Sequence, residues 1–364
     1  MAEPLLYAAT APVVRVDGGR QPDLARDLLR LDIEETTAGL RTLALHVVAS
    51  VTRDRPNPDV VEYLDAAVLD FGKRLEVSLG PPGNERIVFA GAVSALEVSF
   101  EEGDVPHVTA LAEDELMKLR MTQRSATYTK TSDAGVARAI AGMHGLRPEI
   151  AADGPTYDVV QQINQSDLAF LRDRARLIQA ELWALDGVLH FATRDQRRGT
   201  AVTLTRGSDL LAVSARADLS HQCTTVSVSG FDADRRDRID ASAPASTITA
   251  EISGGRTGPE TLRRAFGELP GRRVRDVPLA EAEASAFARA EMLRRARSFA
   301  TVRGTTNGTP ELVVGSRVTL ARCGRPFDGP GYYVTRVHHA YDLGQGFRTH
   351  FDAERPTVNE ASSP

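Results

Sequence analysis

The chain concentrates side chains that could do chemistry near its end. Residues 331–355, GYYVTRVHHAYDLGQGFRTHFDAER, contain three histidines, three tyrosines and two acids just before the last arginine. Histidines and acids close together are typical of metal sites and of acid–base catalysis. The order of the residues argues against both. In a strand from Tyr333 to Tyr341, His338 and His339 face opposite sides and cannot bind one metal from one face.

We therefore predict that this segment is a structural hairpin. A turn over residues 342–346 returns the chain, and the second strand alternates between an apolar and a polar face. We expect one face to carry Phe347, Thr349, Phe351 and Ala353 and the other to carry Arg348, His350, Asp352 and Glu354. A metal site or a catalytic site in this hairpin is the alternative hypothesis.

Other catalytic signals are weak. The sequence has no P-loop, no dinucleotide-binding glycine motif, no zinc-protease motif and no nucleophile elbow. The triplet DFG at 70–72 precedes a strand and has no catalytic-loop partner. Asp232, Asp234 and Asp237 are spaced as in a calcium loop, but the required glycine and glutamate are missing, so we predict a solvated turn. We expect no catalysis, no metal and no cofactor.

The charge of the chain excludes some function classes. The 44 basic and 49 acidic residues give a net charge of −5, which does not favour nucleic acid or an anionic membrane as a partner. Only Lys73, Lys118 and Lys130 are lysines. Arginine is the better residue for bidentate pairing across buried or interfacial surfaces, and a GC-rich genome is the alternative explanation.

The location of the protein is also suggested by composition. Cys223 and Cys323 are the two cysteines and form no CxxC motif, which fits a reducing compartment. The first residues lack the basic region of a signal peptide, and no apolar run approaches the ~20 residues that span a bilayer. We expect the protein to be made and folded in the cytoplasm, without membrane insertion.

Periodicity divides the chain into blocks. Short alternating strands dominate the first 120 residues, as in Leu75, Val77 and Leu79. Two helices then follow serine caps at Ser132 and Ser166. The second helix carries an apolar stripe, formed by Leu168, Leu171, Ala175, Ile178 and Leu182.

A hairpin on Asp186-Gly187 follows the second helix, and the single Trp183 at its start is either a core anchor or a contact with a neighbouring chain. Strands return from residue 200, are interrupted by a polar and helical stretch, and resume near the end. We predict a helix over 279–302. Because glutamates interleave with the arginines of 263–303, we expect a solvated helical face or an intersubunit contact there, not a nucleic-acid surface.

Four segments of the chain resemble a known family. These are RSATYTKTSDAGVARAIAGMHGL, QINQSDLAFLRDRARLIQAELWALDGVLHF, VSVSGFD and the 331–355 segment, with Tyr333, Val337, His339, Gly346, Thr349 and Arg355 in it. Together they resemble the late control protein D family of contractile phage tails and the hub part of VgrG spike proteins. The likeness covers roughly residues 30–355. VgrG proteins continue into a spike, whereas this sequence ends at Pro364, so we expect the hub alone.

The resemblance implies a fold of the α+β class that is mainly β. It implies two antiparallel β-barrels of the tail-tube type, an α/β domain between them and a helical insertion in the second barrel. The expected boundaries are 1–118 for the first barrel, 119–199 for the α/β domain, 200–240 with 305–356 for the second barrel, 241–304 for the insertion and 357–364 for a flexible tail.

The resemblance also implies a function. The chain would be a structural baseplate hub of a phage tail or related injection machine, a homotrimer that joins the hexameric tail tube to the trimeric spike. Tube protein, spike protein and further baseplate proteins are the expected partners, and cargo would pass through a central channel. The candidate structural or interface residues are Trp183, Leu171, Ile178, Tyr333, His339 and Arg355.

Two other classes of function remain open from the sequence. One is a tail-associated hydrolase of cell wall or polysaccharide, which would need two carboxylates about 5–10 Å apart, and no motif singles out such a pair. The other is an all-β binding module, which would cluster its aromatic residues on loops.

Overall fold

The computed structural model describes residues 11–49, 61–152, 154–233, 235–252, 254–274 and 280–359. Over these ranges the protein is mainly β, with large antiparallel sheets, which confirms the expected fold class. Asp234 of the acidic turn and residues 360–364 of the expected tail lie outside the described residues. No helix in the described ranges has the length and apolar character needed to cross a membrane.

The first third of the chain is built from strands with two short helices. Its elements are β1 (Val13–Val16), β2 (Gly19–Arg20), α1 (Pro22–Arg26), β3 (Leu28–Thr36), β4 (Thr42–Val48), β5 (Arg74–Leu79), β6 (Arg86–Ser99), β7 (His107–Glu113) and α2 (Met117–Met121).

The middle of the chain alternates strands and helices, and we call residues 123–193 the α/β unit. Its elements are β8 (Gln123–Ser132), α3 (Asp133–Met143), β9 (Arg147–Ala151), β10 (Thr156–Ser166), α4 (Asp167–Ile178), β11 (Ala180–Leu185) and β12 (Val188–Thr193).

The remaining elements return mostly to strand. They are β13 (Ala201–Thr205), β14 (Leu210–Ala217), β15 (Thr225–Asp232), β16 (Asp237–Pro244), a 3-10 helix (Ala245–Glu251), β17 (Arg256–Thr257), α5 (Gly258–Phe266), β18 (Gly271–Val274), α6 (Glu281–Arg297), β19 (Ala300–Thr306), β20 (Arg317–Ala321), β21 (Gly329–Asp342), β22 (Gly346–Arg355) and β23 (Thr357–Val358).

Thirteen of these strands form one continuous sheet. Its main path runs β14-β19-β22-β21-β3-β4-β7-β6-β5-β1-β2, and β20, with β13 beside it, pairs with the start of β21. The early and late parts of the chain meet where β3 and β21 pair antiparallel over seven residue pairs, from Arg336–Thr36 to Asp342–Arg30. We call this pairing the seam. The strand pairing of the described residues closes no barrel, so the two expected β-blocks are halves of one sheet.

The second half of the sheet differs from the expected one. Strands β15 and β16, expected in the second barrel, instead form a separate three-stranded sheet with β18 that packs on α6. The predicted helix over 279–302 ends earlier, at Arg297, and Ala300 begins β19 of the large sheet. The alternating small and β-branched residues of ATVRGTT fit a pleated strand better than a helix.

Residues 357 and 358, which were expected to begin a flexible tail, form a strand instead. Thr357 and Val358 are buried and pair antiparallel with Arg256 and Thr257. These two strands connect the end of the chain to the start of α5, so residues 357–358 belong to the folded body.

The two helices of the α/β unit begin in the same way. Ser132 and Ser166 cap α3 and α4, and each hydroxyl accepts a hydrogen bond of 3.2 Å from the backbone N–H three residues later. Both predicted caps are confirmed. Asp133 and Asp167 follow the caps in the first turn, where the positive end of the helix dipole stabilises a carboxylate. Both aspartates are fully buried.

Each buried aspartate pairs with an arginine from the other strand–helix pair. Asp133 at the start of α3 accepts a hydrogen bond of 2.5 Å from Arg174 on α4. Asp167 at the start of α4 lies 2.9 Å from Arg124 on β8. The order strand, Ser-Asp and helix occurs twice in the α/β unit, and the two ion pairs, one to an arginine on α4 and one to an arginine on β8, connect the two copies.

The apolar stripe of α4 predicts a large cost for removing one of its side chains. Leu171 is fully buried in the cluster between the helices and β11–β12. Leu171→Ala should lower the free energy of unfolding by about 2–5 kcal/mol because it leaves a cavity. Urea unfolding, followed by the fluorescence of the single Trp183, measures this.

The matched control is Leu185→Ala, because Leu185 lies at the exposed end of β11 with 51% of its surface accessible. This substitution should change stability by less than about 0.5 kcal/mol. Equal midpoints for the two variants would contradict the packing described for α4.

Candidate functional site at the junction of the sheet and the α/β unit

The histidine-rich segment forms the predicted hairpin. Strands β21 and β22 pair across a turn between Asp342 and Gly346, and His339 lies opposite Thr349. His339 is buried, and its Nδ1 is 3.0 Å from the Thr349 hydroxyl. Burial lowers the pKa of His339 to about 3, so this imidazole is neutral at physiological pH.

The neighbouring histidine lies on the opposite face. The His338 ring stacks on that of His350 with centroids 5.4 Å apart, and its Nε2 is 2.8 Å from Asp32 on β3. The His350 Nδ1 is 2.9 Å from the hydroxyl of Thr305. The predicted separation of the two adjacent histidines is confirmed, and the described residues contain no group of three or more metal-binding side chains placed to hold an ion.

Tyr333, near the start of the same hairpin, reaches away from it into the α/β unit. Its hydroxyl donates a hydrogen bond of 2.6 Å to Glu181 on β11, and both residues are buried. Burial, and then the charge of Glu181, raise the pKa of Tyr333, so the phenol keeps its proton. This hydrogen bond connects the large sheet to the α/β unit.

Arg197 makes the central contact of this junction. Its Nη2 donates to Glu35 at 2.6 Å and its Nη1 donates to Glu181 at 3.1 Å. All three side chains are less than 10% exposed. Arg41 adds a second hydrogen bond to Glu35, at 2.9 Å. One guanidinium therefore connects β3 of the sheet to β11 of the α/β unit.

Two further arginines lie over the ring of Tyr333. The Cζ atoms of Arg194 and Arg317 are 4.0 and 4.3 Å from the ring centroid. Burial opposes the charge of Arg194, but Glu354 and Glu181 outweigh it and raise its pKa. Burial lowers the pKa of Arg317. Guanidinium groups stack on aromatic rings in this way and gain cation–π energy from partly desolvated surroundings.

Trp183 completes the junction on its outer side. Its ring stacks on that of His190 at 4.6 Å, nearly parallel, and the Cζ of Arg197 lies 4.4 Å from the Trp183 ring centroid. Trp183 is only partly buried, whereas the other five candidate residues are buried.

The candidates from the sequence fall into separate places. The junction brings Trp183 and Tyr333 together. Leu171 and Ile178 lie in the core of the α/β unit, and His339 lies inside the hairpin.

The last candidate, Arg355, is buried elsewhere and ties down the end of the chain. It donates to the carbonyls of Thr357, Pro330 and Pro326 and lies over the ring of Tyr332. That any of the six candidate residues contacts a neighbouring chain stays a prediction.

Sequence reasoning missed the charged residues of the junction. Glu35 nevertheless carried a signal, because it continues the inward positions Leu31 and Ile33 of β3. An acid at an inward position of a strand needs a buried partner. No comparable pattern marks Arg197, which lies in the loop after β12.

The junction predicts a large cost for removing its central cation. Arg197→Ala leaves Glu35 and Glu181 buried without this partner and should lower the free energy of unfolding by about 3–5 kcal/mol. Chemical denaturation measures the loss. The neighbouring exposed residue supplies the control, and Arg198→Ala should have little effect.

A triple variant separates charge from packing. Arg197→Met with Glu35→Gln and Glu181→Gln removes all three charges and should recover much of the lost stability, since no buried carboxylate is left without its cation. Arg41 loses Glu35 in this variant, but 21% of its side chain is exposed to water. If the single and triple variants are equally unstable, the pairing of charges is not what stabilises the junction.

The low pKa of His339 predicts acid sensitivity. Its folded pKa of about 3 lies below the ordinary 6.5, so between these values the unfolded chain binds the extra proton and stability falls as pH falls. From pH 7.5 to 5.5, wild type should lose about 1.4 kcal/mol more than His339→Gln. Denaturant unfolding at both pH values tests this.

Parallel stability curves for wild type and His339→Gln would show that His339 titrates normally in the folded protein.

Comparisons with known proteins agree on the fold. No curated protein sequence matches this chain. The 43 kDa tail protein of prophage MuSo2 from Shewanella oneidensis aligns with a TM-score of 0.65 and 15% identity, over 95% of this chain and 98% of that one. The tail protein from Neisseria meningitidis MC58 aligns with a TM-score of 0.67 and 14% identity, over 95% and 96%.

A third solved structure comes from a secretion machine. A component of the E. coli type VI secretion system, described as structurally similar to the T4 bacteriophage tail proteins gp27 and gp5, aligns with a TM-score of 0.55 and 12% identity, over 93% of this chain and 77% of that one. At these identities the likeness shows a shared fold, so the chain has the fold of phage tail proteins. The model of the Alg8 N-terminal domain family matches residues 59–342, most of the sequence, and the chain belongs to that family.

Proposed function

We propose that this protein is a structural baseplate hub of a contractile injection machine, a phage tail or a related system, within or close to the late control protein D family. In this role it is a homotrimer that joins the hexameric tail tube to the trimeric spike. Its partners are a tube protein, a spike protein and further baseplate proteins, and it performs no catalytic step.

The observation that carries the proposal is the extent of the fold match. Two phage tail proteins align over nearly their whole length and over nearly the whole of this chain. A match from end to end includes the large sheet, the α/β unit and the insertion together, whereas a shared small motif would cover only one of them.

The layout of the sheet supports an adaptor. Seven strands come from residues before the α/β unit and six from residues after it, and the seam joins them into one sheet. A chain that presents two β-rich halves can offer six similar seats when three copies assemble, which would match a sixfold partner on one side and a threefold partner on the other.

The packing of the histidine-rich hairpin favours a structural role over hydrolase activity. His339 is neutral and packed inside, and Tyr333 keeps its proton in a buried hydrogen bond. These groups hold strands together and are not open to a substrate.

The proposal predicts the assembly state. Sedimentation velocity of the purified full chain, alone and with its spike protein, should show a species of three chains. Addition of the tube protein to that complex should give a larger particle. A mixture of the chain and the tube protein without the spike protein should form this particle less readily. A monomer at every concentration, with and without both partners, would overturn the proposed role.

A further inference from the structure

A small cavity beside the junction is unusually rich in arginine. It has a volume of about 150 Å³ and lies where the β3–β4 turn, α4, β11 and the end of α6 meet. Four arginines line it, Arg172, Arg176, Arg194 and Arg297, together with one carboxylate, Glu181. Drug-sized ligands occupy pockets of roughly 300–1,000 Å³, so this cavity fits a smaller group.

Arg172 lacks an acidic partner within the described ranges. It is half-buried and is held in place because its Nε and Nη2 donate to the carbonyls of Ala38 and Gly39, at 2.8 and 3.1 Å. Burial, followed by the charge of Arg176, lowers the pKa of Arg172. A partly desolvated cation fixed in this way is stabilised by an anion beside it.

Arg194 offers a second donor in the same wall. Its Nη2 is used by Glu354 at 2.6 Å, but its Nε is buried and makes no hydrogen bond. The ion pair between that Nε and Glu181 is long, at 3.5 Å. Since buried N–H groups are nearly always paired, this one indicates a missing acceptor.

Among the residues that the structure describes, Arg172 is the one lining arginine without a carboxylate partner, because Arg176 donates to Asp173 at 2.9 Å and Arg194 donates to Glu354 at 2.6 Å. The cavity therefore keeps one unpaired cation. The Arg297 guanidinium already donates hydrogen bonds to Glu251 and Gln179, so it contributes positive charge to the cavity but no free donor. Glu181 is shared between Arg197 and Tyr333. No second carboxylate lines the cavity among the residues that the structure describes.

We propose that this cavity binds one oxyanion group, a carboxylate or a phosphate, with Arg172 and Arg194 as its donors and Arg176 at its mouth. The planar guanidinium fork suits both kinds of oxyanion. The group comes either from a free ion or from an acidic side chain of a second copy of this chain. The site does not depend on the role proposed above.

The first test measures binding of free ions. Thermal unfolding of the full chain in sodium phosphate and in sodium succinate, against sodium chloride at equal ionic strength, should show a rise in Tm of about 2 °C at ion concentrations well above Kd. Arg172→Gln should abolish the rise. Arg264→Gln, an exposed residue of α5, is the control and should keep it.

Arg176→Gln is a second variant that tests the site even if Arg172→Gln fails to fold. The Arg176 side chain is 70% exposed, so its loss should not unfold the protein. It should weaken phosphate binding several-fold, measured by titration calorimetry.

The second test identifies the source of the oxyanion. If it belongs to a second copy, Arg176→Gln should weaken self-association at least tenfold in sedimentation equilibrium, and phosphate should compete with association. If it is a free ion, association stays unchanged and only the Tm responds. An unchanged Tm in both anions together with unchanged association, or an equal Tm rise in the Arg172 variant, overturns the site.

Discussion

Arg197 is a cation held between two buried carboxylates, and each of the three charges comes from a different part of the chain. Glu35 lies on a strand of the large sheet, Glu181 lies in the α/β unit, and Arg197 follows that unit in sequence. Removing an ion from water costs several kcal/mol even after relaxation, so none of these groups is stable inside the protein without the others. The junction therefore permits one relative position of the sheet and the α/β unit.

The junction lies at the seam, and this couples two long-range constraints. Glu35 on β3 is directly opposite Val337 on β21, and Tyr333 of the same strand reaches Glu181. Pairing of β3 with β21 brings together residues about 300 positions apart, and the buried charges fix its register. In the proposed adaptor, a rigid connection at this place would let both halves of the sheet carry load as one body.

The features that the sequence predicted correctly are those determined by residues close together in the chain. Ser132 and Ser166 end up as caps, the stripe of α4 is buried, and the hairpin on Asp186-Gly187 forms because both residues accept a positive φ. The errors concern partners far away in sequence. Residues 225–240 have the periodicity of any half-buried strand, and periodicity does not say which sheet a strand joins.

The contacts at the junction give a physical reason for arginine instead of lysine at these positions. At this site Arg194 and Arg317 use flat guanidinium groups against Tyr333, and Arg197 binds two carboxylates while its Cζ lies over Trp183. A lysine ammonium is a more strongly hydrated point charge, which neither stacks on a ring nor spans two carboxylates with a rigid fork. A biased genome explains arginines on the surface equally well, but it does not explain why the buried positions need that geometry. Lysine at 197 would keep the charge and lose the shape, so the junction depends on arginine and not merely on a cation.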